Sequence, residues 1–220
     1  MKKLLYTTLA ISLLFIACKS EKKQEQVKEV TKEVKKAATT NAVEATHTVD
    51  IQNSKVLWTG FKPTGSHNGT INLKNGKASL KDGNLDNISI EIDMPSIKNL
   101  DMPADDPYNK KLVTHLISPD FFDVAQFPVA SFNSTKIESN KEGQLQLTGD
   151  ITIKGITKSI SFPATIIQEA NVIHFKAKAF KIDRTDFGIK YKSNKFFDNL
   201  KDKFINDEFE ISFDITLLKK

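Results

Sequence analysis

Phe209-Glu210-Ile211-Ser212-Phe213-Asp214-Ile215-Thr216-Leu217 carries an apolar side chain at every second position. A period of two belongs to a β-strand with one face buried and the other in water. The same alternation recurs in Val56-Trp58, Ile88-Ile90-Ile92-Met94, Leu145-Leu147, Ile151-Ile153, Ile160-Phe162 and Ile173-Phe175-Ala177-Ala179. Asn75-Gly76, Asp82-Gly83 and Glu142-Gly143 supply turn signals between several of these runs. One segment alone has helical spacing. Asp105 or Asp106 can cap it, Pro107 suits its first turn, and Tyr108, Leu112 and Leu116 follow at four-residue intervals beside Val113 and Ile117. The pattern predicts a mainly β domain over residues 46–220, an antiparallel sheet with a short helical insertion. About eight strands with one apolar face each are buried best by closing the sheet into a barrel, which also removes unpaired edges. A sandwich satisfies the same pattern. A barrel of about eight strands either fills its interior with side chains or holds one elongated ligand.

The N-terminus differs in kind. Lys2 and Lys3 precede the apolar run Leu4 to Ala17, which is too short to cross a hydrocarbon core of about 30 Å as a helix. Residues 1–17 therefore read as an export signal. Leu14-Phe15-Ile16-Ala17-Cys18 resembles a bacterial lipobox, with Phe15 where leucine is usual. Cys18 is the single cysteine of the chain and becomes the expected lipidation site, attaching the protein to a membrane of the cell envelope on its periplasmic side. The alternative is an ordinary secreted protein with one stray thiol. With Cys18 acylated, no cysteine remains for a disulfide, a catalytic thiolate or a zinc cluster.

Residues 18–45 are the lipidated cysteine and, from Lys19 to Ala45, a low-complexity stretch of Lys, Glu, Gln, Val, Thr and Ala. It contains no aromatic residue and cannot bury a core, so it reads as a tether. As coil it would reach on the order of 30 Å. Four of the five net positive charges lie in this region and the signal: up to Ala45 there are nine lysines and five glutamates, leaving 23 basic and 22 acidic residues beyond. A nearly neutral domain behind a basic leader argues against a nucleic-acid partner and for attraction to anionic headgroups.

Catalytic patterns are missing. His47, His67, His115 and His174 have no metal-ligand spacing, there is no G-x-S-x-G elbow, and no glycine-rich phosphate loop precedes a helix. The expectation is a binding protein that is not an enzyme and requires no cofactor.

Four segments together resemble the YceI-like family of exported polyisoprenoid-binding proteins. They are Trp58-Thr-Gly60-Phe-Lys62-Pro-Thr-Gly65-Ser-His67-Asn-Gly69, His115-Leu116-Ile-Ser118-Pro119-Asp120-Phe121-Phe122-Asp123, Leu147-Thr-Gly149-Asp-Ile-Thr-Ile-Lys154-Gly155-Ile-Thr157, and Asp183-Arg184-Thr-Asp186-Phe187-Gly188-Ile. The resemblance runs from about Val49 to the C-terminus. It implies a lipocalin-like barrel, an apolar channel for an isoprenoid chain, and binding without catalysis. Many relatives are free in the periplasm, whereas the lipobox here implies attachment.

Individual residues sharpen this reading. Arg184 is the only arginine among 32 basic residues, and its planar fork suits carboxylate or phosphate oxygens. It either pairs with neighbouring Asp183 or Asp186 to fix the turn before Phe187-Gly188, or meets a lipid headgroup. Lys62 and His67 flank the Pro63-Thr64-Gly65 turn, where a diphosphate or quinone ring would emerge, unless that turn is simply solvated. Trp58, on the same face as Gly60, either shapes a channel wall or fills a core. Phe132, Leu147, Phe162, Phe175 and Phe213 are candidate contacts for the ligand tail. Gly60, Gly149, Ala177 and Ala179 are small inward-facing candidates that would leave the interior hollow. A fatty acid or other amphiphile could use the same channel; a filled barrel would instead be an envelope scaffold. A homodimer is left open by the sequence.

Overall fold

The computed structural model describes residues 46–139 and 144–220. The expected signal, tether, Cys18 and the Glu142-Gly143 turn lie outside the described residues. The elements run β1 (His47–Val49), β2 (Lys55–Lys62), β3 (Gly65–Lys81), β4 (Asn84–Asn99), α1 (Pro107–Ile117), β5 (Val129–Ser139), β6 (Leu145–Ile153), β7 (Ile156–Glu169), β8 (Val172–Asp183) and β9 (Glu208–Lys219).

Every strand pairing is antiparallel, and β2 joins β9 while β3 joins β4, so the sheet closes on itself into an eight-strand barrel. The sandwich alternative is therefore excluded. β1 occupies the same strand position as β2, further along: Val49 pairs with Leu217 and Val56 with Phe213 of β9. Between them Asp50 accepts from the Asn53 side chain (2.7 Å), and the Ser54 hydroxyl accepts from the Thr216 amide (3.0 Å), repairing the interrupted ladder.

Alternation fills the interior as expected, with Ile211, Phe213, Ile215 and Leu217 of β9 all buried. Two readings are corrected. A bulge between Ala177 and Phe180 shifts the phase of β8, so Ala179 faces outward and Phe180 inward. Asn75-Gly76 is no turn but lies within β3, where a Cβ on Gly76 would meet Val49 Cγ2 at 2.4 Å. Asp82-Gly83 does make the β3–β4 hairpin, with φ of 52° and 77°.

Strand direction sorts the connections between the two ends. Turns 82–83 and 170–171 lie at one end, with the chain entry at Thr46. The other end carries the β2–β3 and β6–β7 turns and both long connections, 100–128 and 184–207. The first of these includes α1, whose N-cap Asp106 accepts from the Tyr108 amide at 2.7 Å and whose buried face includes Asn109 and Leu116. Tyr108 is 72% exposed, so it is not on that face despite its spacing.

Candidate ligand channel and its mouth

The end carrying the long connections is open. A hollow of about 750 Å³ is walled by Lys62 and His67 from the β2–β3 hairpin, Tyr108, Lys111, Leu112 and His115 from α1, and Tyr191, Lys192, Phe204 and Ile205 from the β8–β9 connection. Beneath it lie cavities of about 90, 60 and 30 Å³. They form a series because each shares walls with the next. Lys62, His67, Leu112, His115 and Ile205 line both the mouth and the first cavity. Trp58, Gly60, Leu116 and Phe121 line the first and second; Ile71, Phe122, Phe209 and Ile211 line the second and third. The walls are almost wholly apolar below the mouth.

The series ends on packed aromatic rings. Phe162 stacks on Phe180 with centroids 4.3 Å apart and lies 5.2 Å from Phe132 and 5.9 Å from Phe213. Phe132, Leu147, Phe162 and Phe175 are buried at or beyond this floor and line none of the four spaces, whereas Phe213 forms a wall of the deepest one. Two of the small residues part company here. Among the described residues a Cβ on Gly60 would meet nothing within 4 Å, so Gly60 opens the channel; one on Gly149 would meet the Asn133 carbonyl oxygen at 2.5 Å and the Phe132 ring at 2.6 Å, so Gly149 makes room for the neighbouring strand and that ring. Phe180, which carries part of the floor, is hidden from sequence alternation by the bulge before it.

Trp58 is set by β2 with its indole N–H donating to the Lys98 carbonyl at 3.2 Å. Gly69 opposite permits this approach, since a Cβ there would lie 1.7 Å from the Lys98 oxygen. At the rim, Lys62 Nζ lies 3.2 Å from His67 Nε2, and His67 Nδ1 lies 2.8 Å from Asp101 Oδ2. With Lys62 charged, only the tautomer protonated at Nδ1 makes both bonds, so the ring receives from Lys62 and donates to Asp101. Burial alone would raise the Asp101 carboxyl; the Asn68 amide, His67 and Asn99 outweigh it and hold the carboxyl below its usual range.

Arg184 is 1% exposed. Its guanidinium donates to the carbonyls of Asn206 (3.0 Å), Ile189 (2.9 Å) and Ile205 (2.9 Å), and to Asp207 Oδ1 at 3.3 Å. The expected pairing with Asp183 or Asp186 is corrected: the partner is Asp207, and Asp183 instead caps the 3₁₀ turn 184–187, accepting from the Thr185 amide at 2.8 Å and pairing with Lys195. Arg184 thus ties the two ends of the β8–β9 connection together while lining the second cavity under the Phe121 ring, 5.6 Å away. Burial pushes its pKa down, and Asp207 and Asp183 oppose that. The Asp207 and Asn206 contacts lie more than twenty residues away, with no local sequence signal.

His115 packs edge-on against Tyr191, with centroids 4.3 Å apart, and its buried Nε2 makes no hydrogen bond among the described residues. Burial lowers its pKa, aided by Lys192 and opposed by Asp120, whose carboxylate is 3.9 Å away.

A model of the YceI-like domain matches residues 47–217. The chain belongs to the YceI-like family. Among curated relatives, a UPF0312 protein of Pseudomonas fluorescens is 40% identical over 82 residues, 34% of this chain and 42% of the relative. One from Shewanella denitrificans is 28% identical over 122 residues, covering 56% and 61%. The chain thus spans about half the length of these relatives. BcnA of Burkholderia cenocepacia superposes with a TM-score of 0.62 at 22% identity, covering 76% of this chain and 98% of BcnA. A polyisoprenoid-binding domain from Saccharophagus degradans gives 0.61 at 12% identity, covering 80% and 100%. These similarities show that the YceI-like barrel is the common fold.

Proposed function

We propose that this YceI-like protein is an exported lipoprotein that holds a polyisoprenoid lipid, a quinone or an isoprenyl phosphate, tail-first in the barrel. The observation that carries the reading is the series of apolar cavities descending from the mouth to the Phe132-Phe162-Phe180-Phe213 floor. The Saccharophagus relative, described as polyisoprenoid-binding, supports the same assignment. The proposed order is an export signal over 1–17, acylated Cys18 with its tether to residue 45, and the barrel.

Affinity comes mainly from the tail. Each isoprene unit adds five carbons, about 4 kcal/mol of gross burial at roughly 0.8 kcal/mol per carbon, before ordering costs. A head at the mouth meets Lys62 and His67, which Asp101 orients. Arg184, with its donors committed to three carbonyls and Asp207, acts as the brace of the channel wall.

Mass spectrometry of the organic extract of the full chain, purified from bacterial membranes, tests this reading. A stoichiometric isoprenoid is expected. A fatty acid in its place would reassign the channel to another amphiphile. An empty protein that also takes up no added quinone, isoprenyl phosphate or fatty acid would leave a scaffold.

A further inference from the structure

The segment 193–204 is a loop whose ends are pinned together at the mouth, the Ile205 amide donating to the Lys192 carbonyl at 2.9 Å. Lys192, Lys203, Phe204 and Ile205 wall the mouth, so the loop stands on its rim. Its first turn is tight: the amides of Phe196 and Phe197 donate to the Ser193 carbonyl at 3.1 and 3.0 Å, and the Lys195 amide to the buried Ser193 hydroxyl at 3.1 Å. This turn presents two adjacent phenylalanines to water, 46% and 49% exposed. A folded domain gains nothing from that exposure. Lys190 lies over the Phe196 ring at 4.8 Å, and residues 190–204 carry five lysines against two aspartates.

We propose that this loop docks the barrel mouth on an anionic phospholipid surface, with Phe196 and Phe197 entering the headgroup region and Lys190, Lys192, Lys201 and Lys203 facing lipid phosphates, while Lys195 stays paired with Asp183 and Asp207. Aromatic rings favour that depth, and lysines beside them gain from the negative surface potential. Exposed Tyr108 on α1 and Leu100 after β4 lie at the same end and extend the apolar contact. Docking there lets a lipid pass between bilayer and channel without exposing its tail to water. The surface is independent of what the channel holds.

The test uses the full chain with Cys18→Ser, carrying a fluorophore on a single cysteine at Asn194→Cys, in the loop, or at Lys81→Cys, at the opposite barrel end. Both positions are exposed and leave the phenylalanines in place. In mixed phosphatidylglycerol–phosphatidylcholine vesicles bearing shallow nitroxide lipids, the loop probe is expected to be quenched severalfold more than the Lys81→Cys probe. The contrast is expected to collapse with Phe196→Ser/Phe197→Ser, and to shrink in pure phosphatidylcholine or high salt. Equal quenching at the two ends, or a contrast that survives loss of both phenylalanines, overturns the docking surface. A contrast indifferent to phosphatidylglycerol overturns the anionic partner. Because quenching reports position and not cargo, an empty channel and a failed docking surface give separate signatures.

Discussion

Gly60→Leu inserts a side chain into the shared wall of the first two cavities. Gly60 pairs with His67 on one side and Phe209 on the other, so its backbone is held by both ladders. Among the described residues a Cβ there meets nothing within 4 Å, so the side chain starts in open space and extends into the first two cavities, of about 90 and 60 Å³. Glycine inside a strand costs about 0.5–1 kcal/mol relative to alanine, and burying a leucine side chain contributes about 1.5–3 kcal/mol. The variant should therefore be as stable as the natural chain or more so, with an unchanged or higher urea midpoint. Binding should move the other way. Excluding about one isoprene unit removes roughly 4 kcal/mol of gross burial, close to a thousandfold in affinity. The assay compares lipid stoichiometry and chain length in extracts of the two full chains, followed by titration with added isoprenoid. A folded Gly60→Leu protein with unaltered lipid content would refute the tail path along Gly60.

Other perturbations follow from the same geometry. Gly69→Ala, unlike Gly60→Ala, drives a Cβ to 1.7 Å from the Lys98 oxygen and should lower the urea midpoint by the equivalent of about 1–3 kcal/mol; equal midpoints for the two variants would contradict the close approach. Arg184→Lys keeps the charge but abandons buried carbonyls of Ile189, Ile205 and Asn206, with an expected loss of about 3–5 kcal/mol in denaturant unfolding; a loss under about 1 kcal/mol would mean the brace is dispensable. For His115 burial holds the folded pKa below the ordinary histidine value of about 6.5, so the unfolded state takes up a proton first as pH falls. Stability should drop from about pH 6.5 downward and level off below the folded pKa, and His115→Phe should flatten that part of the profile; an identical slope in the variant would place the dependence elsewhere.

The barrel was legible because alternation is local, and Phe209 to Leu217 shows it without help from any other strand. What escaped depends on contacts distant in sequence. Gly60 and Gly149 look alike in sequence, yet one faces a cavity and the other a phenylalanine ring supplied by the neighbouring strand. The β8 bulge exchanges Ala179 for Phe180 because a single extra residue reverses every later side chain. Asn75-Gly76 has turn composition, but its glycine answers the crowding of Val49 and Ile90 inside a long strand. The mouth position of Lys62 and His67 was readable from their turn, while Asp101, which orients the histidine, is 34 residues away.

The chain enters the barrel at the end opposite the mouth, through the three-residue strand β1. Tension arriving from upstream of Thr46 therefore bears first on β1, held by backbone bonds such as Thr46 to Ala78 (3.0 Å) and Asp50 to Thr216 (2.8 Å). β2 has its own ladders to β3 and β9, so β1 can peel away while the eight-strand closure persists. Such a strand is a mechanical fuse. Its release would free residues 46–54, roughly 30 Å of extended chain, without touching the mouth at the other end.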